Sequence, residues 1–180
     1  KLLTVKGVTG EDLLVESGSS LRIFGNDPSL NIYIGPGATA SISGNMTIEG
    51  SIAHYFNAAD PLAVKFKSGS IFTQLCPGNV FNNIGISNAV VFEGGSKMKI
   101  NHPAALSPFG LTAPASKVLF ENSSNLLITS ISSMQLSGRN IADLTVEEGS
   151  YLNISESFFS DLNVTNITVK NGGTLNIKNT

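Results

Sequence analysis

The stretch Ile167-Thr168-Val169-Lys170-Asn171-Gly172-Gly173-Thr174-Leu175-Asn176-Ile177 is the last of seven copies of one pattern in this chain. Each copy starts from an apolar residue that we call its anchor, which is Val169 in this copy. A glycine usually lies three residues after the anchor, an apolar residue lies six residues after it, and another apolar residue usually lies eight residues after it. Six of the seven copies have glycine at the turn position, and the exception is Ser123. Recurrence at intervals of 19 to 32 residues indicates a repeat architecture. The other anchors are Val15, Ile34, Phe66, Phe92, Phe120 and Val146.

Each copy alternates apolar and polar residues on both sides of its glycine, which is the pattern of two short strands with one buried face. Glycine supplies the bend between them because it adopts a positive φ without a Cβ penalty. The pattern therefore predicts an all-β chain, a right-handed parallel β-helix of about seven coils that forms one domain over residues 1–180. An antiparallel sandwich or barrel also has short strands in which apolar and polar residues alternate. Such a fold does not require the same corner in the middle of every unit.

The shared offsets also predict which side chains stack inside the solenoid. Phe66, Phe92 and Phe120 occupy one motif column and should form a continuous internal ladder. A positive φ at Ser123 would be strained, unless that corner differs. The first predicted column is Val15, Ile34, Phe66, Phe92, Phe120, Val146 and Val169, and the second is Leu21, Ala40, Phe72, Met98, Leu126, Leu152 and Leu175.

Composition narrows the classes of partner. The 180 residues include 11 Lys and Arg against 13 Asp and Glu, a net charge of -2, so the electrostatic attraction that drives binding to nucleic acid or acidic lipid is missing. Apolar runs are too short to span a bilayer, and we expect no membrane insertion by this segment. The single cysteine, Cys76, excludes a disulfide within the chain and a thiolate metal site, and it is expected to be a buried or turn thiol.

Three phrases carry a resemblance to known surface proteins. Val-Glu-Ser-Gly-Ser-Ser-Leu (15–21), Val-Glu-Glu-Gly-Ser-Tyr-Leu (146–152) and Val-Lys-Asn-Gly-Gly-Thr-Leu (169–175) resemble the pectate-lyase-like adhesive domains of Gram-positive cell-surface proteins. They are equally similar to passenger domains of Gram-negative autotransporters. Either resemblance implies a bacterial, extracellular, surface-anchored module that acts in adhesion within a larger polypeptide.

The same fold also carries polysaccharide lyases and hydrolases, so catalytic groups must be sought residue by residue. Hydrolysis needs two cooperating carboxylates and lyase chemistry a base beside acidic Ca²⁺ ligands, and neither pattern is visible. Of the two candidate arginine bases, Arg22 is expected to point outward between inward Leu21 and Ile23, and Arg139 is the other. The pair Glu147-Glu148 is expected to be solvated. We predict no catalytic residues and no cofactor.

Two stretches interrupt the repeat and provide the candidate ligand-binding residues. The first, about residues 45–60, carries His54, Tyr55 and Phe56; the second, 101–116, carries His102 and Phe109. Loops that leave a rigid scaffold often hold recognition residues, although such side chains can also fold back onto the coils. Two histidines without a carboxylate cluster make a poor metal site, so we predict no metal and expect ordinary surface histidines.

The sequence therefore predicts a non-enzymatic segment of a secreted or cell-surface adhesin that binds an extracellular glycan or a host protein. The alternatives are a polysaccharide lyase or hydrolase of the pectate-lyase-like fold and a purely structural stalk. Because the last copy reaches Ile177 without a visible cap, we also expect a fragment of a longer repeat protein whose open strand edge can pair with another copy.

Overall fold

The computed structural model describes residues 1–7, 10–105, 109–156 and 160–180. In these ranges the chain forms strands and turns and has no helix, so none is available to cross a membrane. The predicted all-β class is confirmed. The strands are β1 (Leu2–Val5), β2 (Leu13–Val15), β3 (Ser20–Phe24), β4 (Asn31–Ile34), β5 (Ala40–Ile42), β6 (Asn45–Glu49), β7 (Tyr55–Ala58), β8 (Val64–Phe66), β9 (Ile71–Leu75), β10 (Val90–Phe92), β11 (Lys97–Ile100), β12 (Val118–Phe120), β13 (Asn125–Ile128), β14 (Ile131–Ser133), β15 (Asn140–Val146), β16 (Tyr151–Glu156), β17 (Asn163–Val169) and β18 (Thr174–Asn179).

The strands assemble into four parallel sheets. Sheet A has the order β1-β4-β7, sheet B β12-β10-β8-β5-β2, sheet C β17-β15-β13-β11-β9-β6-β3, and sheet D β14-β16-β18. Neighbours in a sheet are never consecutive in the chain, because each strand pairs with its counterpart one turn away. The result is a parallel β-solenoid of about seven turns, as predicted.

The seven turns differ in the sheets that they contribute to. Turns one to three each supply one strand to sheets A, B and C, and turn four supplies β10 and β11 to sheets B and C. Turn five adds β12, β13 and β14 to sheets B, C and D, whereas turns six and seven contribute only to sheets C and D. The cross-section of the solenoid therefore changes along its axis, and sheet B ends two turns before sheet C.

The predicted corners are confirmed at all seven motif positions. Each turn residue has a positive φ, including Ser123 at 66°, so serine adopts there the left-handed conformation that glycine adopts elsewhere. The observed φ values of the glycines are 81° at Gly18, 74° at Gly37, 82° at Gly69, 84° at Gly95, 67° at Gly149 and 73° at Gly172.

The predicted stacking columns are only partly correct, because the motif marks three different corners. The copies anchored at 15, 66, 92 and 120 join sheet B to sheet C, the copy at 34 joins sheet A to sheet B, and the copies at 146 and 169 join sheet C to sheet D. A glycine bend sets the local path of the chain but does not specify the sheets on either side of it.

In the first column, Ile34, Val146 and Val169 are misplaced. Ile34 lies in sheet A between Val5 and Ala58. Val146 and Val169 continue from Ile128 in sheet C. The column observed in sheet B is Val15, Ile42, Phe66, Phe92 and Phe120.

In the second column, Ala40, Leu152 and Leu175 are misplaced. Ala40 pairs with Leu13 and Val64 in sheet B, and Leu152 pairs with Leu175 in sheet D. The column observed in sheet C is Leu21, Met46, Phe72, Met98, Leu126, Leu144 and Ile167.

The predicted phenylalanine ladder is confirmed and forms the centre of the core. The ring centroids of Phe66 and Phe92 are 4.5 Å apart with an interplanar angle of 5°, and those of Phe92 and Phe120 are 5.2 Å apart at 15°. Phe72 meets the edge of this stack, 5.4 Å from Phe66 and 6.3 Å from Phe92. Parallel pairing in register places identical side chains directly above one another, which brings the rings to stacking distance.

The first predicted irregular stretch is not a loop. Residues 45–60 contain the whole of β6 and β7, and only residues 50–54 and 59–60 lie outside these strands. In the second stretch, residues 101–105 and 109–116 contain no named strand, while 106–108, with Pro108, lie outside the described residues.

The last turn presents its apolar side chains to solvent. Ile167, Val169 and Ile177 are 50%, 45% and 54% exposed, and β17 and β18 are the terminal strands of sheets C and D. Their outer hydrogen-bonding edges have no partner strand among the described residues. Open strand edges of this kind can pair with another strand, and the expected self-association stays a prediction.

Replacing Phe92 by alanine removes the middle ring of the stack and leaves a cavity between Phe66 and Phe120. We expect the free energy of unfolding to fall by about 3–5 kcal/mol, measured by urea denaturation followed by circular dichroism. Ile84→Ala is the control, since Ile84 is 72% exposed and should change stability by less than about 0.5 kcal/mol. Equal effects of the two substitutions would contradict the role of the stack.

The corner conformation can be tested in both directions. An added Cβ at Gly149 would meet no atom within 4 Å, and the positive φ is strained for a β-branched residue, so Gly149→Val should destabilise by about 1–3 kcal/mol. The reverse change, Ser123→Gly, relieves that strain and should stabilise by up to about 1 kcal/mol. Thermal unfolding of both variants measures the two effects, and a stabilised Gly149→Val protein would rule out the corner argument.

Candidate functional site

His54 is a structural residue of the solenoid interior. Its side chain is fully buried, in contrast to the expected surface histidine. Nδ1 accepts a hydrogen bond from the Leu30 amide at 2.9 Å, and Nε2 lies 3.0 Å from the Gly25 carbonyl oxygen. Because a carbonyl only accepts, Nε2 carries the proton. Both ring nitrogens are thus used to connect turns of the chain.

The other four residues that the sequence predicts to bind a ligand are Tyr55, Phe56, His102 and Phe109, and they too lie away from the two clefts described below. Phe56 on β7 is fully buried, and its neighbour Tyr55 is half-buried. Phe109 is buried and meets the edge of Phe120 at 6.0 Å, at the end of the phenylalanine stack. His102 is half-buried, and its Nδ1 accepts a hydrogen bond from the Ala104 amide at 3.1 Å. None of the clefts described below is lined by these residues or by His54.

Cys76 and Arg22 lie where the sequence predicts them. The Cys76 thiol is fully buried, and burial raises its pKa. Arg22 points outward, where its guanidinium forms an ion pair with Glu49 and lies 4.8 Å from the centre of the Phe24 ring. Within the described ranges, no three His, Cys, Asp or Glu side chains are grouped as a metal site would require.

Arg139 is almost completely buried and holds the segment that contains Leu111 and Ala115. One terminal nitrogen donates to the Leu111 carbonyl at 2.6 Å and the other donates to the Ala115 carbonyl. The guanidinium carbon lies 4.9 Å from the centre of the Phe109 ring, an arrangement that favours a cation over the ring face. Burial lowers the pKa of Arg139, and the carboxylate of Glu156 opposes that shift.

Arg139 and Glu156 border one cleft of about 290 Å³. Glu156 is itself mostly buried, and its Oε1 accepts hydrogen bonds from the backbone amides of Leu136 and Ser137. The described lining of this cleft contains one carboxylate, whereas glycoside hydrolysis requires two. Both charged groups are engaged with backbone and hold loops in place.

A second cleft opens where sheet B ends. It has a volume of about 390 Å³ and lies beside β12, the last strand of that sheet. We call it the asparagine cleft. Its lining residues are Phe120, Asn122, Asn140, Ile141, Ala142, Leu162, Asn163, Val164 and Thr165.

The lining of the asparagine cleft is divided into an apolar part and a polar part. Ile141 is buried and Val164 is half-buried, whereas the asparagines and Thr165 are exposed, as the alternation of a strand dictates. Asn163 Nδ2 donates to Asn140 Oδ1 at 3.0 Å, which aligns the two amides on successive turns. None of the nine lining residues is charged. The cleft therefore offers amide donors and acceptors beside apolar surface.

Asn122 and Asn163 were not among the candidate binding residues predicted from the sequence. The alternation in β15 and β17 shows which of their residues point outward, but the cleft exists because sheet B stops at β12 while sheet C continues. The repeated motif contains no signal for the end of a sheet.

Lys117 is a buried cation that the sequence analysis did not identify. Its side chain is 1% exposed, and Nζ donates to Asn57 Oδ1 at 2.5 Å and to the Phe81 carbonyl at 2.9 Å. Burial lowers its pKa to about 8. Asn57 and Phe81 belong to turns three and four, so no local pattern around Lys117 could reveal these contacts.

The chain showed no match in a scan of protein-family models, a search of curated proteins or a search of solved structures.

Arg139→Lys tests the structural role of the guanidinium. A lysine retains the charge but replaces two separate terminal nitrogens by one compact ammonium, so it cannot reproduce the planar fork that reaches the Leu111 and Ala115 carbonyls. We expect hydrogen exchange in a peptide covering 109–117 to accelerate at least tenfold, while the peptide of β11 is unchanged. Arg22→Lys is the control, and an unchanged 109–117 peptide in Arg139→Lys would show that the clamp is dispensable.

Proposed function

We propose that this chain is a non-enzymatic β-solenoid segment of a secreted or cell-surface bacterial adhesin and that it binds a neutral glycan in the asparagine cleft. The observation that carries the proposal is the uncharged lining of that cleft, in which exposed amides lie beside apolar side chains. The solenoid supplies a rigid support, since Asn140 and Asn163 lie on paired strands of sheet C.

The chemistry of the lining matches a sugar better than an ionic ligand. A carboxamide both donates and accepts, and so it can pair with hydroxyl groups, whose hydrogens rotate to suit. The apolar side chains suit the C–H faces of a pyranose ring. A uronic acid or a phosphate would enter this cleft without a cation to neutralise it, which costs desolvation energy. Neutral hexoses or their N-acetyl derivatives are therefore the expected class.

A polysaccharide lyase or hydrolase is the second candidate, and the pairing of Arg139 with Glu156 in one cleft is the observation that favours it. Against it, the two terminal nitrogens of Arg139 donate to backbone carbonyls. A base that abstracts a proton must reach its substrate, and this guanidinium is bound to the protein instead. A purely structural stalk is the third candidate, and it requires no ligand.

A glycan array that contains neutral and uronic-acid oligosaccharides separates these candidates. We expect specific binding to a neutral glycan, and we expect Asn140→Ala and Asn163→Ala each to weaken it about tenfold, the effect of one lost hydrogen bond. Asn176→Ala is the matched control, because Asn176 makes the same kind of amide contact to Asn153 on the preceding turn, at 2.6 Å, but lies outside the cleft.

Two other outcomes would replace the proposal. Binding that is absent from the whole array would favour the stalk. Depolymerisation of a uronic-acid polymer that is lost in Glu156→Gln would establish the enzyme.

A further inference from the structure

Lys117 and Asn57 bring an amine and a carboxamide into contact inside the protein. Nζ lies 2.5 Å from Asn57 Oδ1. Since the C=O bond is about 1.2 Å long, Nζ is at most about 3.7 Å from the amide carbon. Reacting atoms held about 3–3.5 Å apart are close to an attacking geometry. The distance from Nζ to the amide carbon is therefore close to the distance at which the nitrogen can attack that carbon.

The surroundings of the pair favour such a reaction. The Ala58 amide donates to the same Oδ1 at 3.2 Å, which polarises the carbonyl and supports negative charge on its oxygen. The Phe81 carbonyl accepts from Nζ and fixes the position of the nitrogen. Burial lowers the pKa of Lys117 to about 8, so a substantial share of the side chain is the uncharged, nucleophilic amine in mildly alkaline solution.

Solvent is kept away from the amine. An added Cβ at Gly85 would lie 3.2 Å from Nζ, so the segment that carries this glycine closes over the pair. An amide bond formed there is protected from bulk water.

We propose that Lys117 and Asn57 form an intramolecular isopeptide bond. The Nζ lone pair attacks the Asn57 amide carbon, the new N–C bond forms, and the bond between that carbon and Nδ2 breaks. One amine proton passes to the departing nitrogen, which leaves as ammonia. No oxidant, reductant or other reactant is needed.

The bond would connect distant parts of the solenoid. Asn57 lies on β7 of turn three, and Lys117 immediately precedes β12 of turn five, with the Phe81 carbonyl of turn four against the amine. A covalent link between them would join residues that are 60 positions apart in the chain. It would prevent turns three to five from separating, which hydrogen bonds alone do not.

The mass of the intact, denatured wild-type protein tests the proposal directly, after incubation of the folded protein at pH 9. We expect a mass lower than that of the sequence by one ammonia, and a branched peptide containing residues 57 and 117 after proteolysis. A wild-type protein that retains the full sequence mass under these conditions overturns the proposal.

Variants exclude the other source of ammonia loss. Succinimide formation at Asn171-Gly172 also releases ammonia but yields no branched peptide. Lys117→Arg and Asn57→Ala should each abolish the branched peptide, whereas Lys97→Arg, at an exposed position on β11, should retain it. If the wild-type protein loses ammonia without yielding a branched peptide, and the loss persists in Lys117→Arg, the loss comes from the succinimide and the isopeptide is overturned.

Discussion

Parallel pairing in register requires every side chain of a turn to stack on its counterpart one turn away. A strand shifted by one residue would move its apolar side chains to the solvent face, so the same alternation must recur wherever a sheet continues. Phe66, Phe92 and Phe120 meet this requirement with three similar rings. The corners must also remain aligned, which explains why the turn positions share a positive φ and why Ser123 is held in that conformation despite its Cβ.

The surface features of the molecule arise where this stacking changes. Sheet B stops at β12, and the loss of its next strand creates the asparagine cleft beside Asn140 and Asn163. The segment before β12 carries Lys117 inward to Asn57, and Arg139 fixes the neighbouring segment. Irregular turns thus provide the polar and charged interior groups, while the regular sheets provide the rigid frame that positions them.

The fold was predictable because its signals are local and repeated. A bend at the same position in all seven copies, with apolar and polar residues alternating on both sides of it, predicts the parallel solenoid and the phenylalanine ladder. The same signals do not distinguish one corner from another, so Ile34 and Val146 were assigned to the wrong columns. The site was far less predictable. His54 and Phe109 were expected in surface loops, but their partners come from other turns, as does the partner of Lys117, and no short pattern records such contacts.

The phenylalanine stack has a consequence for the order in which the molecule comes apart. The stacked rings concentrate buried apolar contact in turns three to five, whereas Ile167, Val169 and Ile177 of the last turn remain substantially exposed. In a solenoid each turn is stabilised mainly by its neighbours, so local stability should decline from the middle toward the poorly buried turns. Denaturation would then begin with fraying of the poorly buried last turn and end with the cooperative unfolding of the central segment that contains the stack.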